Sequence, residues 1–345
     1  MAIRVLRPTR LSSAELDRYL SEGWFRIGQA LMTCHAVLFE GVLRSAVWTR
    51  LPLDAHKFSK SNRKLLARNG RKFTSEIGPL RVDAERERLY QRYRQTVRGE
   101  RSHCLEDFLH GDSERDVFDT WEICVRDQGR IVAFSWFDRG QVSVQSLLGV
   151  YDPDHRDHSL GYYTMLKEIE FGIAQGLTHF YPGYVLPGEP AMDYKLRVGE
   201  VEFLEYQSRL WLPWADLTNY QLPVERLSTA LAAAGEALAA VGLTGQTRQY
   251  PMFEAPAWHA HLRGCLDQPL VLDVAPENWV PRPLVVAYDP ERSCYRLLRC
   301  IRARALTVQV EGEDPRPVEL WVVDAWLATC PDAASLAREV LRWHG

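Results

Sequence analysis

The sequence predicts a mixed α/β fold, and three observations carry that prediction. Apolar runs at 120–125, 131–137 and 141–151 are separated by Asp127-Gln128-Gly129-Arg130 and by Asp138-Arg139-Gly140, which reads as a three-stranded meander. Met165, Leu166, Ile169 and Ile173 then recur at helical spacing over 159–175, with Gly176 as a stop. An apolar run at 178–185 follows. A helix that leaves one strand and returns to another sets the two strands side by side.

The remaining elements follow in order. Ser12-Ser13-Ala14-Glu15 is a capping box that opens a helix carrying Leu16, Tyr19 and Leu20 on one face, stopped by Gly23. Strands are expected at Leu31 to Phe39 and Val42 to Leu51, turning at Glu40-Gly41. Ser59 to Asn69 reads as a basic helix closed by Asn69-Gly70. Asp83 caps the next helix, which buries Leu89, Tyr90, Tyr93 and Val97, sets Arg88, Arg92 and Gln95 opposite, and ends at Gly99. Trp211 to Trp214 reads as a linker. Pro223 starts a helix of Leu227, Leu231, Ala234 and Leu238; strand-like runs at 269–274, 283–288 and 295–310 and a last helix complete the chain. The expected organisation is an N-terminal α+β lobe (1–80), a central α/β domain (81–210) and a C-terminal accessory α+β region (215–345).

Composition narrows the function classes. The chain has 345 residues, 46% hydrophobic and 25% charged, a soluble balance. No apolar run reaches the length of a membrane span, and the charged first ten residues lack the apolar stretch of a secretory signal. Seven cysteines include no C-x-x-C pair, so free thiols in a cytoplasmic monomer are expected. Charge is segregated: Lys57 to Arg101 holds 14 Lys and Arg against five acids, a local +9 within a chain of net −3. Such a stretch is either a solvated pair of helices or a phosphate-binding surface, and Lys60, Arg63, Lys64, Arg88 and Arg92 are its candidates for nucleic-acid contact.

The strand–loop–helix at 144–175 is the arrangement of the Gcn5-related N-acetyltransferase fold, so the expected class is a Gcn5-related acetyltransferase-like mixed sheet. Those enzymes hold the pyrophosphate of acetyl-CoA on backbone N–H groups at a helix N-terminus, with the signature [RQ]-x-x-G-x-[GA]. Here the stretch is Arg156-Asp157-His158-Ser159-Leu160-Gly161. Ser159 stands at the first glycine position and Asp157 adds negative charge, which suits an acyl-transferase scaffold better than a CoA site. A structural helix cap at Ser159 is the alternative.

Several motifs in one order resemble a known family. Tyr151-Asp152-Pro153-Asp154, Ser159-Leu160-Gly161 and Leu166-Lys167-Glu168-Ile169-Glu170 are followed by Tyr181-Pro182-Gly183-Tyr184-Val185 and Ala191-Met192-Asp193-Tyr194-Lys195. Together with Gly23 to Gly28 and Ser59 to Lys64, they are similar to arginyl-tRNA–protein transferases and their bacterial leucyl-transferring relatives, over about 15–205. The chain departs from the family pattern in two places. It lacks the N-terminal Cys-rich motif, keeping only Cys34-His35, so no metal and no cofactor are expected. Ala191 replaces the lysine of the K-M motif.

The resemblance implies transfer of an aminoacyl group from aminoacyl-tRNA to the N-terminal amine of an acceptor protein. The ester is an activated donor and the amine is partly neutral near pH 7.5, so proximity and oxyanion stabilisation, the latter from backbone N–H groups at Ser146 to Gly149, would suffice. Asp152 and Lys195 are the catalytic candidates; Tyr151, Ser159, Gly161, Tyr184, Met192 and Tyr194 are the substrate-binding ones. Each has a plainer reading: Asp152 as a turn residue, Lys195 as a surface ion pair, the tyrosines as core. Trp24 and Arg26 read as structural, His155 and His158 as solvated loop residues, and Glu168 as a surface charge. An acetyl-CoA-dependent N-acetyltransferase and a non-catalytic tRNA- or protein-binding module are the rival functions.

Overall fold

The turns delimit strands that assemble into one eight-stranded sheet. The computed structural model describes residues 2–97, 101–111, 113–274, 282–308 and 316–344. The sheet comprises Val47–Pro52 (β1), Thr74–Pro79 (β2), Thr120–Asp127 (β3), Arg130–Arg139 (β4), Ser143–Tyr151 (β5), His179–Val185 (β6), Glu202–Leu204 (β7) and Trp211–Pro213 (β8). Their order is β8-β7-β1-β6-β5-β4-β3-β2. Neighbours run antiparallel except β5 and β6, which are parallel across the helix Leu160–Ala174 that connects them. This is a mixed α/β sheet with a helix crossing between its two parallel strands, as the sequence predicts.

Four further helices precede that connector in the chain. They are Ser13–Ser21 (α1), Lys60–Lys72 (α2), Ala84–Arg94 (α3) and Leu105–His110 (α4), and the connector is α5. On one face of the sheet Leu160, Leu166 and Ile169 of α5 pack on Val132, Phe137, Val144 and Phe180. Truncating one of these leucines to Ala would cost about 2–5 kcal/mol. Gly172 lets α5 settle close: a Cβ there would meet the Leu53 side chain at 2.9 Å. On the opposite face α3 and α4 bury Leu89, Tyr90, Leu105 and Leu109 against Phe134, Trp136 and Val150.

A three-stranded sheet of Ile3–Leu6, Ala30–Cys34 and Phe25–Ile27 adjoins the central one. A second antiparallel sheet is formed by Gly245–Gln249, Leu270–Val274, Leu284–Asp289, Cys294–Val308 and Arg316–Cys330, backed by the helices Pro223–Ala239 and Ala333–His344. Met32, Trp48 and Leu204 share a core with Tyr250, Phe253 and Trp321, so the last hundred residues pack on the first fifty. Among the described residues no helix is long and apolar enough to cross a membrane.

Four expectations change. The first long strand pair breaks at His35 and Ala46: Ala46 donates to the His35 carbonyl, and beyond that point one strand joins the small sheet and the other becomes β1. The Glu40-Gly41 turn itself forms, with φ of 50° and 75°. Helix α2 runs through Asn69-Gly70 because the Asn69 amide is engaged in tertiary structure, donating to the His158 carbonyl at 2.8 Å. Trp211 to Pro213 is no linker but the edge strand β8, paired with β7. Helix α3 ends at Arg94; Gly99, its expected stop, lies outside the described residues.

Candidate active site

The central sheet opens in the middle. Parallel pairing of β5 with β6 covers Ser143 to Gln145 against His179 to Tyr181 and stops there. Just beyond, β5 bulges at Leu147, between the pairs Ser146↔Phe137 and Leu148↔Trp136. A bulge bends its strand and sharpens the local twist, and here it carries β5 away from β6. The divergence exposes a row of backbone groups on each inner edge. Residue 183 has φ of 90°, and a Cβ there would lie 3.2 Å from the Phe25 ring and 3.5 Å from Lys195 Nζ. Only glycine meets both conditions.

Lys195 lies against the β6 edge of the opening. It is half-buried in a 3-10 segment, Pro190–Val198. Its Nζ donates to the Tyr184 carbonyl at 2.8 Å, a group left without a strand partner on that side, and lies 5.5 Å from the Tyr184 ring centre. Among the described residues no carboxylate pairs with it. Burial, and then the charge of Arg101, pull its pKa down to about 8. The walls are aromatic. Tyr184 packs edge-on against Trp48 at 5.4 Å, and Trp48 against Phe25 at 5.6 Å. Tyr93 packs edge-on against Tyr151 at 5.2 Å. Burial raises the phenol pKa values of Tyr93 and Tyr184 and pushes that of Tyr194 up to about 12, while Arg101 opposes the shift in all three. Aromatic rings and the charges of Lys195 and Arg101 thus gather where the strands part.

The floor of this opening holds a carboxyl group. Glu168 on α5 has 0% exposure. The Ser135 and Ser146 hydroxyls lie close enough to favour its ionised form, yet neither carboxylate oxygen receives a hydrogen bond. Burial dominates and pushes its pKa up to about 8. The expected surface charge is therefore wrong. Nine of the fifteen α5 residues are buried, including Thr164 and Glu168. A helix buried nearly all round turns even its acid inward, and that apolar surround was the available signal.

Asp152 is buried in a network of ion pairs. It is 1% exposed, and its carboxylate pairs with Arg92 at 3.0 Å and Arg130 at 3.2 Å while accepting from the Asp154 N–H at 3.1 Å. A carboxylate so engaged has little capacity left for an incoming ammonium. Arg92 is bound in the same knot, to Asp152 and to Asp154 at 2.8 Å, so its availability for phosphate is reduced. His155 also departs from the solvated reading: its ring is packed against Phe73 and 3.4 Å from the Asp127 carboxylate.

The loop before α5 is tied to α2. Arg68 donates to the Asp157 carbonyl at 3.4 Å, and Lys72 Nζ lies 2.9 Å from His158 Nε2. Ser159 adopts a left-handed conformation with φ of 49° and makes no side-chain cap, so the cap reading does not hold. A Cβ on Gly161 would lie 3.1 Å from the Tyr151 ring, so these two close the start of the helix. Met192 and Tyr184 are both partly buried against the shared core. Helix α2 itself carries Lys60, Arg63, Lys64, Arg68, Arg71 and Lys72 without one acid, all exposed. Among the described residues no carboxylate pairs with them. Arg88 is exposed on α3.

Arg26 is structural, as expected: it is buried with Asp138 at 2.8 Å and Thr120 at 2.6 Å. Cys34 and His35 are buried, and the His35 ring lies 4.7 Å from that of Tyr206. Among the described residues no three His, Cys, Asp or Glu side chains gather as metal ligands. Sequence reasoning missed Phe25, Trp48 and Arg101 as parts of the cleft, since they come from segments distant in sequence.

A family profile described as arginine-tRNA-protein transferase, C terminus, matches residues 85–205. An aspartate/glutamate leucyltransferase of Leptospira interrogans is 29% identical over 201 residues, covering 54% of this chain and 73% of that protein. One from Stenotrophomonas maltophilia is 28% identical over 210 residues, covering 57% and 79%. Among solved structures, a Gcn5-related N-acetyltransferase from Anabaena variabilis aligns with a TM-score of 0.31 and 11% identity, covering 61% of this chain and 44% of that one.

Proposed function

We propose that the chain transfers an aminoacyl group from aminoacyl-tRNA to the N-terminal amine of an acceptor protein, a reading supported by the match of residues 85–205 to the arginine-tRNA-protein transferase C-terminal profile and by its similarity to aspartate/glutamate leucyltransferases. The observation that carries this reading is the cleft between β5 and β6, where Lys195 has a backbone carbonyl and no counter-ion. A cation held in a partly dehydrated cleft favours an anionic ligand strongly, because water competes weakly there. The terminal phosphate of charged tRNA and an acidic acceptor side chain both have that chemistry.

Helix α2 supplies the complementary surface. Six exposed bases on one thirteen-residue helix, tied through Asn69 and Lys72 to the loop before α5, lie where an acceptor arm entering the cleft would pass. The reaction needs little more than alignment. The neutral amine attacks the ester carbonyl, the oxyanion forms against backbone N–H groups freed by the bulge at Leu147, and the ribose oxygen leaves. Tyr184, Tyr194, Tyr151 and Tyr93 wall the site and exclude water that would hydrolyse the ester.

The test is to incubate the pure protein with a mixture of charged tRNAs and peptides that begin with Asp, Glu or Arg. Mass spectrometry should show one added aminoacyl residue on the peptide N-terminus, dependent on charged tRNA. Addition of an acetyl group from acetyl-CoA, or of nothing while the tRNA stays charged, would overturn the reading.

A further inference from the structure

We propose that Glu168 is a positioning residue for proton movement, acting through the hydroxyl of Ser146 to accept the proton of the attacking amine and return it to the leaving ribose oxygen. This role rests on the aminoacyl-transfer reading.

The geometry selects this pair. Ser146 follows the last parallel pair, Gln145↔Tyr181, and precedes the bulge, so it sits at the apex of the opening. Val144 two residues earlier points into the α5 core, and strand alternation puts Ser146 on the same face. Glu168 lies directly beneath, fully buried, with both carboxylate oxygens unpartnered; the Ser135 hydroxyl beside it is unpartnered as well. A buried carboxylate with no cation beside it is costly for a fold. It recurs at sites where a proton must be held.

The groups that face Glu168 are few. Ser135 comes from β4, Ser146 from β5, and the Tyr194 phenol from the 3-10 segment. Among the described residues no Lys, Arg or His charge shifts it, from α2 or from the strands beneath. Its ionisation is set by burial, which brings it near the range of an α-amine.

The step balances. A neutral amine forms the N–C bond and its nitrogen becomes ammonium-like. That proton passes to Ser146 as the Ser146 proton passes to the Glu168 carboxylate. The protonated Glu168 then returns a proton through Ser146 to the ribose oxygen as the ester C–O bond breaks. The free carboxylate is regenerated.

The test is the pH profile of acceptor kcat/KM in wild type and Glu168→Gln, with thermal melts alongside. Wild type requires both a neutral amine and an ionised carboxyl, so log kcat/KM should rise with a slope approaching about two below neutrality. Glu168→Gln should fall about 10²-fold near pH 8 and rise with a slope of about one, since only the amine then titrates. Glu168→Asp should restore part of the rate. If Glu168→Gln does not fold, Ser146→Ala carries the test, with the same loss and the same slope. A wild-type slope of about one, or a folded variant that keeps the wild-type rate and slope, would overturn the role. A wild-type protein that transfers nothing would overturn the function itself.

Discussion

The two faces of the central sheet treat a buried carboxylate in opposite ways. On the α3 face Asp138, with 0% exposure, is held by Arg26 at 2.8 Å and by the Thr120 hydroxyl at 2.7 Å. On the α5 face Glu168, equally buried, has the Ser135 and Ser146 hydroxyls beside it and, among the described residues, no cation. Burial raises the pKa of both, but only Asp138 has a guanidinium to oppose it. The same division separates Asp152, caged by two arginines, from Lys195, which has no counter-ion among the described residues. Paired charges such as Arg26–Asp138 and Arg92–Asp152 hold this fold together, whereas Glu168 and Lys195, at the opening between β5 and β6, have no ion-pair partner among the described residues.

That comparison can be broken at its strongest point first. Arg26→Met should leave Asp138 buried and unpaired, at a cost of about 3–5 kcal/mol. Urea unfolding measures it, and a loss far smaller would mean that the pair does not anchor the small sheet to the central one. Glu168→Gln should have the opposite character. Its raised folded-state pKa means the wild type is most stable at acid pH and loses stability as pH rises from the ordinary carboxylate range through about 8. The amide cannot ionise, so the variant should melt higher than wild type at pH 8.5, and the difference should close by pH 5. Equal melts at both values would place the carboxyl in water.

A smaller effect sharpens the picture on the α2 surface. Lys60, Arg63 and Lys64 have solvent and no acid around them, so reversing all three to Glu should leave the melt within about 1 kcal/mol of wild type. tRNA affinity should fall regardless of tRNA sequence, and its dependence on log salt should flatten by roughly three units. Arg92→Glu should instead disturb stability, because Arg92 is committed to Asp152 and Asp154. Filter binding across a salt series separates the two outcomes.

Much of this scaffold was legible in the sequence because it is local. Ser12 and Glu15, Asp83, Glu40-Gly41 and Asp127 to Gly129 each act within four residues, and each forms as read. The α5 stripe and its flanking strands were legible from periodicity. What stayed hidden depends on residues far apart. Arg26 meets Asp138 across 112 positions. Trp211 is a strand only because β7 is there to pair with it. Asp152 looked free until Arg92 and Arg130 converged on it from α3 and β4. Tyr184, Tyr194 and Lys195 came from ordered motifs, and they do meet at the cleft, but the absence of a counter-ion is a fact of three dimensions.

The most direct test sets Lys195→Met beside Asp152→Asn in single-turnover transfer at saturating charged tRNA, with thermal melts on the same samples. Lys195→Met should lose about 10- to 10²-fold in rate, the loss of a charge-assisted hydrogen bond to an anion, and keep its melting temperature. Asp152→Asn should keep the rate and melt earlier, because two arginines lose their partner. Wild-type transfer by Lys195→Met, or a lost rate with an intact melt in Asp152→Asn, would contradict the division between charges that hold the fold and charges that serve the cleft.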